Sequence, residues 1–152
     1  MARVGNPTDI RVVKGALRDQ FKTLRREMDP AVKAEKDRAI LSRILELPEY
    51  KAAGLVLTYV STAIEVDTVE LIHRSLAMGK RVAVPYCVPG KIDMLFCEIF
   101  SLEDLAPGSF GVLEPDPEKQ PVLREFSGSV CILPGLGFDL EGYRLGYGKG
   151  YY

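Results

Sequence analysis

Residues Gly54–Ser61 read GLVLTYVS, a continuous apolar run rich in β-branched side chains, the pattern of a strand covered on both faces. Asp67 and, three residues on, Glu70 then give a capping-box-like start to a helix carrying Val69, Ile72 and Leu76, and Gly79 supplies its stop. Arg81–Tyr86, RVAVPY, is a second buried strand. Strand, helix and strand in so short a space define a βαβ unit, which requires a parallel pair joined by a right-handed crossover. That unit excludes all-helical and all-antiparallel folds and places any ligand at the carboxyl ends of the strands.

The flanking sequence extends this unit. From Thr8 to Met28, Ile10, Val13, Leu17, Phe21, Leu24 and Met28 recur every three or four residues, the period of an amphipathic helix. Arg11, Lys14, Arg18, Lys22 and Arg25 repeat at the same spacing and form a basic stripe beside the apolar one. Asp29-Pro30 reads as N-cap and first residue of a second helix, which runs through Ile40 and Ile44 and stops before Pro48. MLFCEIF (94–100) and SVCILP (129–134) read as further strands. Between them, APGSFGVLEPDPEKQPV is expected to be ordered irregular chain over the sheet's edge. The expected architecture is a three-layer α/β/α domain with a mostly parallel central sheet and an N-terminal helical hairpin.

At 152 residues the chain has the length of one domain, with no repeat or interdomain linker. Its 20 Lys and Arg balance 21 Asp and Glu, which argues against a general nucleic-acid surface. No apolar run reaches membrane-spanning length and the N-terminus lacks a secretory apolar segment, so a cytoplasmic protein without a membrane partner is expected. Cys87, Cys97 and Cys131 are odd in number, far apart and set among apolar residues, as reduced, partly buried thiols would be.

After Pro134, GLGFDLEGYRLGYGKG has no period and leaves the end of a buried strand, which makes it the first candidate for a site. It fails the Walker pattern, since five residues rather than four separate Gly142 from Gly148-Lys149, and it fails the dinucleotide fingerprint. Glycines still let backbone N–H groups approach an anion, and Arg144 and Lys149 supply charge. Phosphate binding and a plain flexible loop both stand at this point. The basic stripe is either a solvated face or a second anion contact; Gly15, between Lys14 and Arg18, is costly in a helix interior and could let a bulky ligand reach the backbone. Glu65 sits where a strand's end meets the next helix and reads equally as ligand contact or solvated carboxylate. His73 reads as surface or packing, and no nucleophile–base pair is apparent.

KGALR (14–18), YVSTAIEVDT (59–68), FGVLEP (110–115) and, most specifically, LPGLGFDLEGYRLGYGKGYY (133–152) together resemble the 5-formyltetrahydrofolate cyclo-ligase family, also called 5,10-methenyltetrahydrofolate synthetase. The resemblance spans nearly the whole chain in order. It implies an ATP- and magnesium-dependent reaction in which the formyl oxygen of 5-formyltetrahydrofolate is phosphorylated, N10 attacks the activated carbon, and 5,10-methenyltetrahydrofolate, ADP and phosphate result. Carried over residue by residue, it implies ATP contacts at Lys14, Gly15, Ala16, Leu17 and Arg18. It implies further ATP contacts at Arg144, Leu145, Gly146, Tyr147, Gly148, Lys149, Gly150, Tyr151 and Tyr152. Folate contacts fall on Val60 and Glu65, and on Tyr147, Gly148, Lys149, Gly150 and Tyr151. Some family members carry Arg where this chain has Tyr147, which removes one cation.

Two competing readings accompany this one: a nucleotide- or folate-binding protein of the same fold without turnover, and an RNA-binding module using the basic stripe, which the near-neutral charge disfavours. A glycine-rich anion loop is normally completed by the N-terminus of a following helix. The resemblance implies that GKGYY runs on into an aspartate, a helix and further strand, with the magnesium-binding positions beyond Tyr152 and none within the chain. The 152 residues are therefore expected to be a truncated or partly observed single domain, with a sheet edge or apolar surface left uncovered.

Overall fold

The computed structural model describes residues 9–108, 111–148 and 150–152, so Thr8, Ser109, Phe110 and Lys149 lie outside the described residues. The chain is a mixed α/β protein with N-terminal helices and a mostly parallel central sheet. Helix α1 spans Ile10–Glu27, α2 Pro30–Glu46 and α3 Pro48–Ala52. Then come β1 (Leu55–Thr58), α4 (Val69–Ala77), β2 (Arg81–Cys87) and β3 (Met94–Ile99). A 3₁₀ turn (Leu102–Asp104) and the short strands β4 (Ala106–Pro107) and β5 (Leu113–Glu114) precede β6 (Ser129–Ile132), β7 (Gly137–Phe138) and β8 (Arg144–Leu145).

The sheet order is β3-β2-β1-β6; β1 runs parallel to β2 and to β6, and only β3 is antiparallel. Strand alternation sends Val56, Val82, Val84 and Ile99 to one face, all fully buried, where Leu71 and Ile72 of α4 and Tyr50 of α3 meet them and Leu41, Ile44 and Leu45 of α2 close the edge. Leu55, Leu57 and Ala83 point to the other face and meet Phe96 and Leu123. Of these, Phe96 belongs to β3 itself and Leu123 to an extended segment beside it. Residues 121–123 lie along the outer edge of β3, with Glu98 N–H donating to Pro121 O (2.8 Å) and Leu123 N–H to Phe96 O (2.8 Å). The Pro-rich stretch thus covers an edge strand's free groups with chain that proline bars from a central strand.

Local chemistry accounts for most boundaries. The Asp29 carboxylate caps α2 by accepting from Ala31 N–H, with Pro30 at the first helical position. Gly79, in the left-handed region at φ 81°, ends α4 as expected. The start of α4 is a correction: Thr68 occupies the cap position, Asp67 accepts from Val69 N–H (2.9 Å), and Glu70 pairs with Arg74 instead of closing a capping box. Pro48 opens α3 rather than only ending α2, because its missing N–H is harmless at a first turn. The stretch after Pro134 is not a plain loop, since β7 and β8 form a hairpin whose turn is held by the Asp139 carboxylate accepting from Glu141 and Tyr143 N–H.

The apolar stripe of α1 is the main departure in packing. No residue of that helix is buried, and Ile10, Val13, Leu17 and Leu24 are 37–61% exposed. Among the thiols, Cys97 is buried, Cys87 intermediate and Cys131 exposed, so the expectation of burial fails at Cys131, on edge strand β6. His73 is exposed. No helix among the described residues is long and apolar enough to cross a membrane.

Candidate functional site

The loop after β1 and the chain after β6 both leave the carboxyl end of the parallel strands, and α1 lies against the two of them. Its attachment is directional. Arg18 Nε donates to Gly146 O (2.9 Å), while the Arg25 guanidinium donates to Ile64 O (3.2 Å), Gly135 O (2.8 Å) and Leu136 O (3.0 Å). A guanidinium fork suits several fixed acceptors at once. Gly137 makes the approach possible, because a Cβ there would fall 2.5 Å from a ring atom of Phe21.

Between these elements lies a cavity of about 390 Å³. Its floor is the loop after β1, which hydrogen bonds hold rigid: Thr68 Oγ1 donates to Tyr59 O (2.7 Å) and accepts from Ser61 N–H (3.0 Å). Glu65, 9% exposed, has Oε1 accepting from both the backbone N–H and the hydroxyl of Thr62, each at 2.9 Å. The solvated-carboxylate alternative for Glu65 is therefore excluded. Burial, and then the Glu65 charge, push the Tyr59 phenol upward, and its hydroxyl donates to Val66 O (3.0 Å).

Tyr147, near Glu65, continues the wall. Its hydroxyl is shielded from solvent and finds no well-formed hydrogen bond among the described residues. Burial, followed by the nearby charge of Glu65, pushes its pKa up to about 12, so it stays neutral through the physiological range. The Lys22 ammonium stands 6.0 Å from the centroid of its ring.

The cavity gathers most of the residues that sequence reasoning singled out. Val60, Glu65, Tyr147, Gly148, Gly150 and Tyr151 all line it, as do Arg144, Gly146 and Tyr152. Arg18 reaches the same segment through the Gly146 carbonyl. Arg144 also donates to Pro134 O (2.7 Å), so part of its capacity holds the loop. Leu145 is occupied in β8 pairing. Lys14, Gly15, Ala16 and Leu17, earlier on α1, do not line the cavity; Lys14 is exposed, and a Cβ on Gly15 would meet nothing within 4 Å. Lys149 lies outside the described residues.

Sequence reasoning missed Lys22, Arg25, Arg26, Tyr59 and Thr62 as site residues. Lys22 and Arg25 were within the basic stripe, and their continuing three-to-four spacing was the available signal. Among the described residues, no three His, Cys, Asp or Glu side chains converge as metal ligands.

An open, mostly parallel α/β sheet with a mixed apolar and charged cavity at its carboxyl end has the form of a small-molecule site. The 5-formyltetrahydrofolate cyclo-ligase family model matches residues 10–152, and the chain belongs to that family. It is 33% identical over 156 residues to the mitochondrial 5-formyltetrahydrofolate cyclo-ligase of Arabidopsis thaliana, covering 93% of this chain and 55% of that one. To the 5-formyltetrahydrofolate cyclo-ligase of Escherichia coli K12 it is 30% identical, covering 84% and 71%. Among solved structures, the NMR structure of 5,10-methenyltetrahydrofolate synthetase from Aquifex aeolicus superposes with a TM-score of 0.78 at 29% identity, covering 92% of this chain and 70% of that one. The chain thus spans about half to three quarters of the length of these relatives.

Proposed function

We propose that the cavity binds 5-formyltetrahydrofolate beside ATP and supports its cyclisation to 5,10-methenyltetrahydrofolate. The observation that carries this reading is that one cavity holds both groups of residues: Val60 and Glu65 from the loop after β1, and the glycine-rich segment after β6. Two substrates that exchange a phosphoryl group must be neighbours.

In the reaction, the formyl oxygen bonds to the γ-phosphorus as the bond to ADP breaks. N10 then attacks the activated carbon, and phosphate departs as the ring closes and N10 loses its proton. Phosphorylation turns a poor leaving group into a good one, so the protein's task is alignment and charge neutralisation. Arg18 and Arg144, with Lys14 and Lys149, serve the nucleotide's phosphates. Glu65, kept in place by Thr62, offers a carboxylate to pterin N–H groups, and Val60 with Tyr59 supplies an apolar wall. Magnesium would share the phosphate charge, and no three His, Cys, Asp or Glu side chains among the described residues converge to hold it.

The relatives' names support this reading, and the Arabidopsis relative is named as mitochondrial, which gives the expected cytoplasmic compartment no support. The test is the absorbance of the methenyl product with both substrates present, beside calorimetric titration of each alone. Product that requires both substrates is expected. Absence of product together with absence of binding by either ligand would sink the proposal.

A further inference from the structure

We infer that Lys22 is a catalytic residue: its ammonium meets the phosphoryl group while that group passes from nucleotide to folate. This rests on the reading of the cavity just given, and assigns within it a role that the glycine-rich segment and Arg18 do not fill.

The first argument is position along α1. Arg18 touches the glycine-rich segment at Gly146, and a Cβ on Gly148 would lie 3.1 Å from its Cζ. Arg25 touches Ile64, the residue before Glu65. Lys22 comes one turn after Arg18 and just under one turn before Arg25, on the same face. At about 1.5 Å rise per residue it stands roughly 6 Å along the axis from the first and 4–5 Å from the second. The helix therefore presents a cation at the glycine end, a clamp at the folate end, and Lys22 between them, lining the cavity.

The second argument is what Lys22 does not touch. Lys33 pairs with Asp37 at 2.6 Å and Lys51 with Glu46 at 3.2 Å, and the Lys80 ammonium donates to the carbonyls of Tyr50, Lys51 and Ala53. Lys22, half-buried, makes no ion pair and no hydrogen bond among the described residues. Its recorded contact is the Tyr147 ring face, which attracts the charge while leaving the N–H donors unused. A partly desolvated cation with idle donors in a cavity wall is complementary to a ligand anion.

The third argument is chemical. In phosphoryl transfer, charge spreads over the equatorial oxygens of a group whose phosphorus moves from one oxygen to another. As the formyl oxygen bonds to phosphorus, the electron pair of the breaking bond leaves with ADP, and no proton is needed from Lys22. A compact ammonium on a flexible stem can follow such a group, whereas Arg18 and Arg25 are fixed by carbonyl acceptors.

Calorimetric titration with ADP and with the imido-bridged ATP analogue AMP-PNP, in magnesium-containing buffer, tests this on the wild type, Lys22→Met and Lys22→Arg. Lys22→Met should weaken AMP-PNP about tenfold or more and ADP less than about threefold, since ADP lacks the group Lys22 is assigned to. Lys22→Arg, which keeps the charge and guards against a folding artefact, should recover most of the AMP-PNP affinity. Equal weakening of both nucleotides, or of neither, overturns the assignment and leaves Lys22 as packing for Tyr147. If the wild type binds neither nucleotide, the proposed function fails and takes this assignment with it.

Discussion

Val56, Val82, Val84, Ile99 and Ile72 are each 0% exposed and pack the sheet against three helices, whereas α1 buries no residue completely and is fastened by arginines to backbone carbonyls. The first region is held by non-directional burial and the second by a few directional, charge-assisted bonds. They also differ in what they face. The core faces itself; α1 and the loops it grips face the cavity. Low-free-energy opening is accordingly expected on the α1 side, where ligands enter, while the sheet sets global stability.

The sharpest break between the two regions should come from a core truncation. Leu71, 1% exposed on α4, touches the main cluster, and Leu71→Ala removes apolar burial and leaves a cavity behind it. A loss of about 2–5 kcal/mol is expected from the urea midpoint. A loss smaller than that of any α1 variant would overturn the comparison.

Arg25→Ala should come next, at about 1.5–3 kcal/mol, but its effect should be local, because three carbonyls on two loops lose their shared donor. Native-state hydrogen exchange is the appropriate measurement. Amides of α1 and of residues 135–137 should exchange faster, while those of β1 and β2 keep wild-type protection. Uniform acceleration through the sheet would mean that α1 belongs to the core's cooperative unit.

The same contrast explains what could be read from the sequence. The core was legible because burial writes a pattern: period two or continuous in β1 and β2, period 3.6 in α4, punctuated at Asp29-Pro30 and Gly79. Two-residue strands such as β7 and β8 have no period to show, and α3 hid behind a proline taken only as a stop. In the site, Val60, Glu65 and the glycine-rich segment were legible through family likeness. The burial of Glu65 was not, since it depends on Thr62 satisfying the carboxylate locally. Arg25 was invisible as a clamp because its acceptors are backbone carbonyls 39 to 111 residues away, which any side chain can carry. The exposed apolar stripe on α1 shows the converse, since an amphipathic period reports a helix without saying how much of it becomes covered.

A pair of glycines refines the comparison. Gly142 (φ 92°) and Gly148 (φ 85°) both lie in the left-handed region, where a side chain costs about 1 kcal/mol. A Cβ at Gly142 meets nothing within 4 Å, but at Gly148 it presses on the Arg18 guanidinium. Both alanine variants should lower thermal stability by a similar small amount. Only Gly148→Ala should weaken nucleotide binding, by several-fold, because Arg18 must shift. Equal binding losses would mean that the Arg18 contact does not matter to the site.

The smallest expected effect on stability has the opposite sign. Tyr147 holds a shielded hydroxyl that stands near Glu65 but makes no well-formed hydrogen bond among the described residues, and such a group costs folding free energy that a ligand atom would recover. Tyr147→Phe should therefore leave the unliganded protein unchanged or more stable by up to about 1 kcal/mol, while weakening 5-formyltetrahydrofolate or ATP binding about three- to tenfold. The pH dependence gives an independent reading. With a folded-state pKa of about 12 against 10.0 for free tyrosine, the folded protein keeps a proton that the unfolded chain has already lost between those values. Stability from this group is full below pH 10 and falls as pH rises toward 12. Removing the hydroxyl should flatten that alkaline decline without abolishing it, because Tyr59, also shifted upward, contributes to the same slope. An unchanged slope with unchanged ligand affinity would show that the Tyr147 hydroxyl is neither shifted by its surroundings nor met by a ligand, and would remove it from the site.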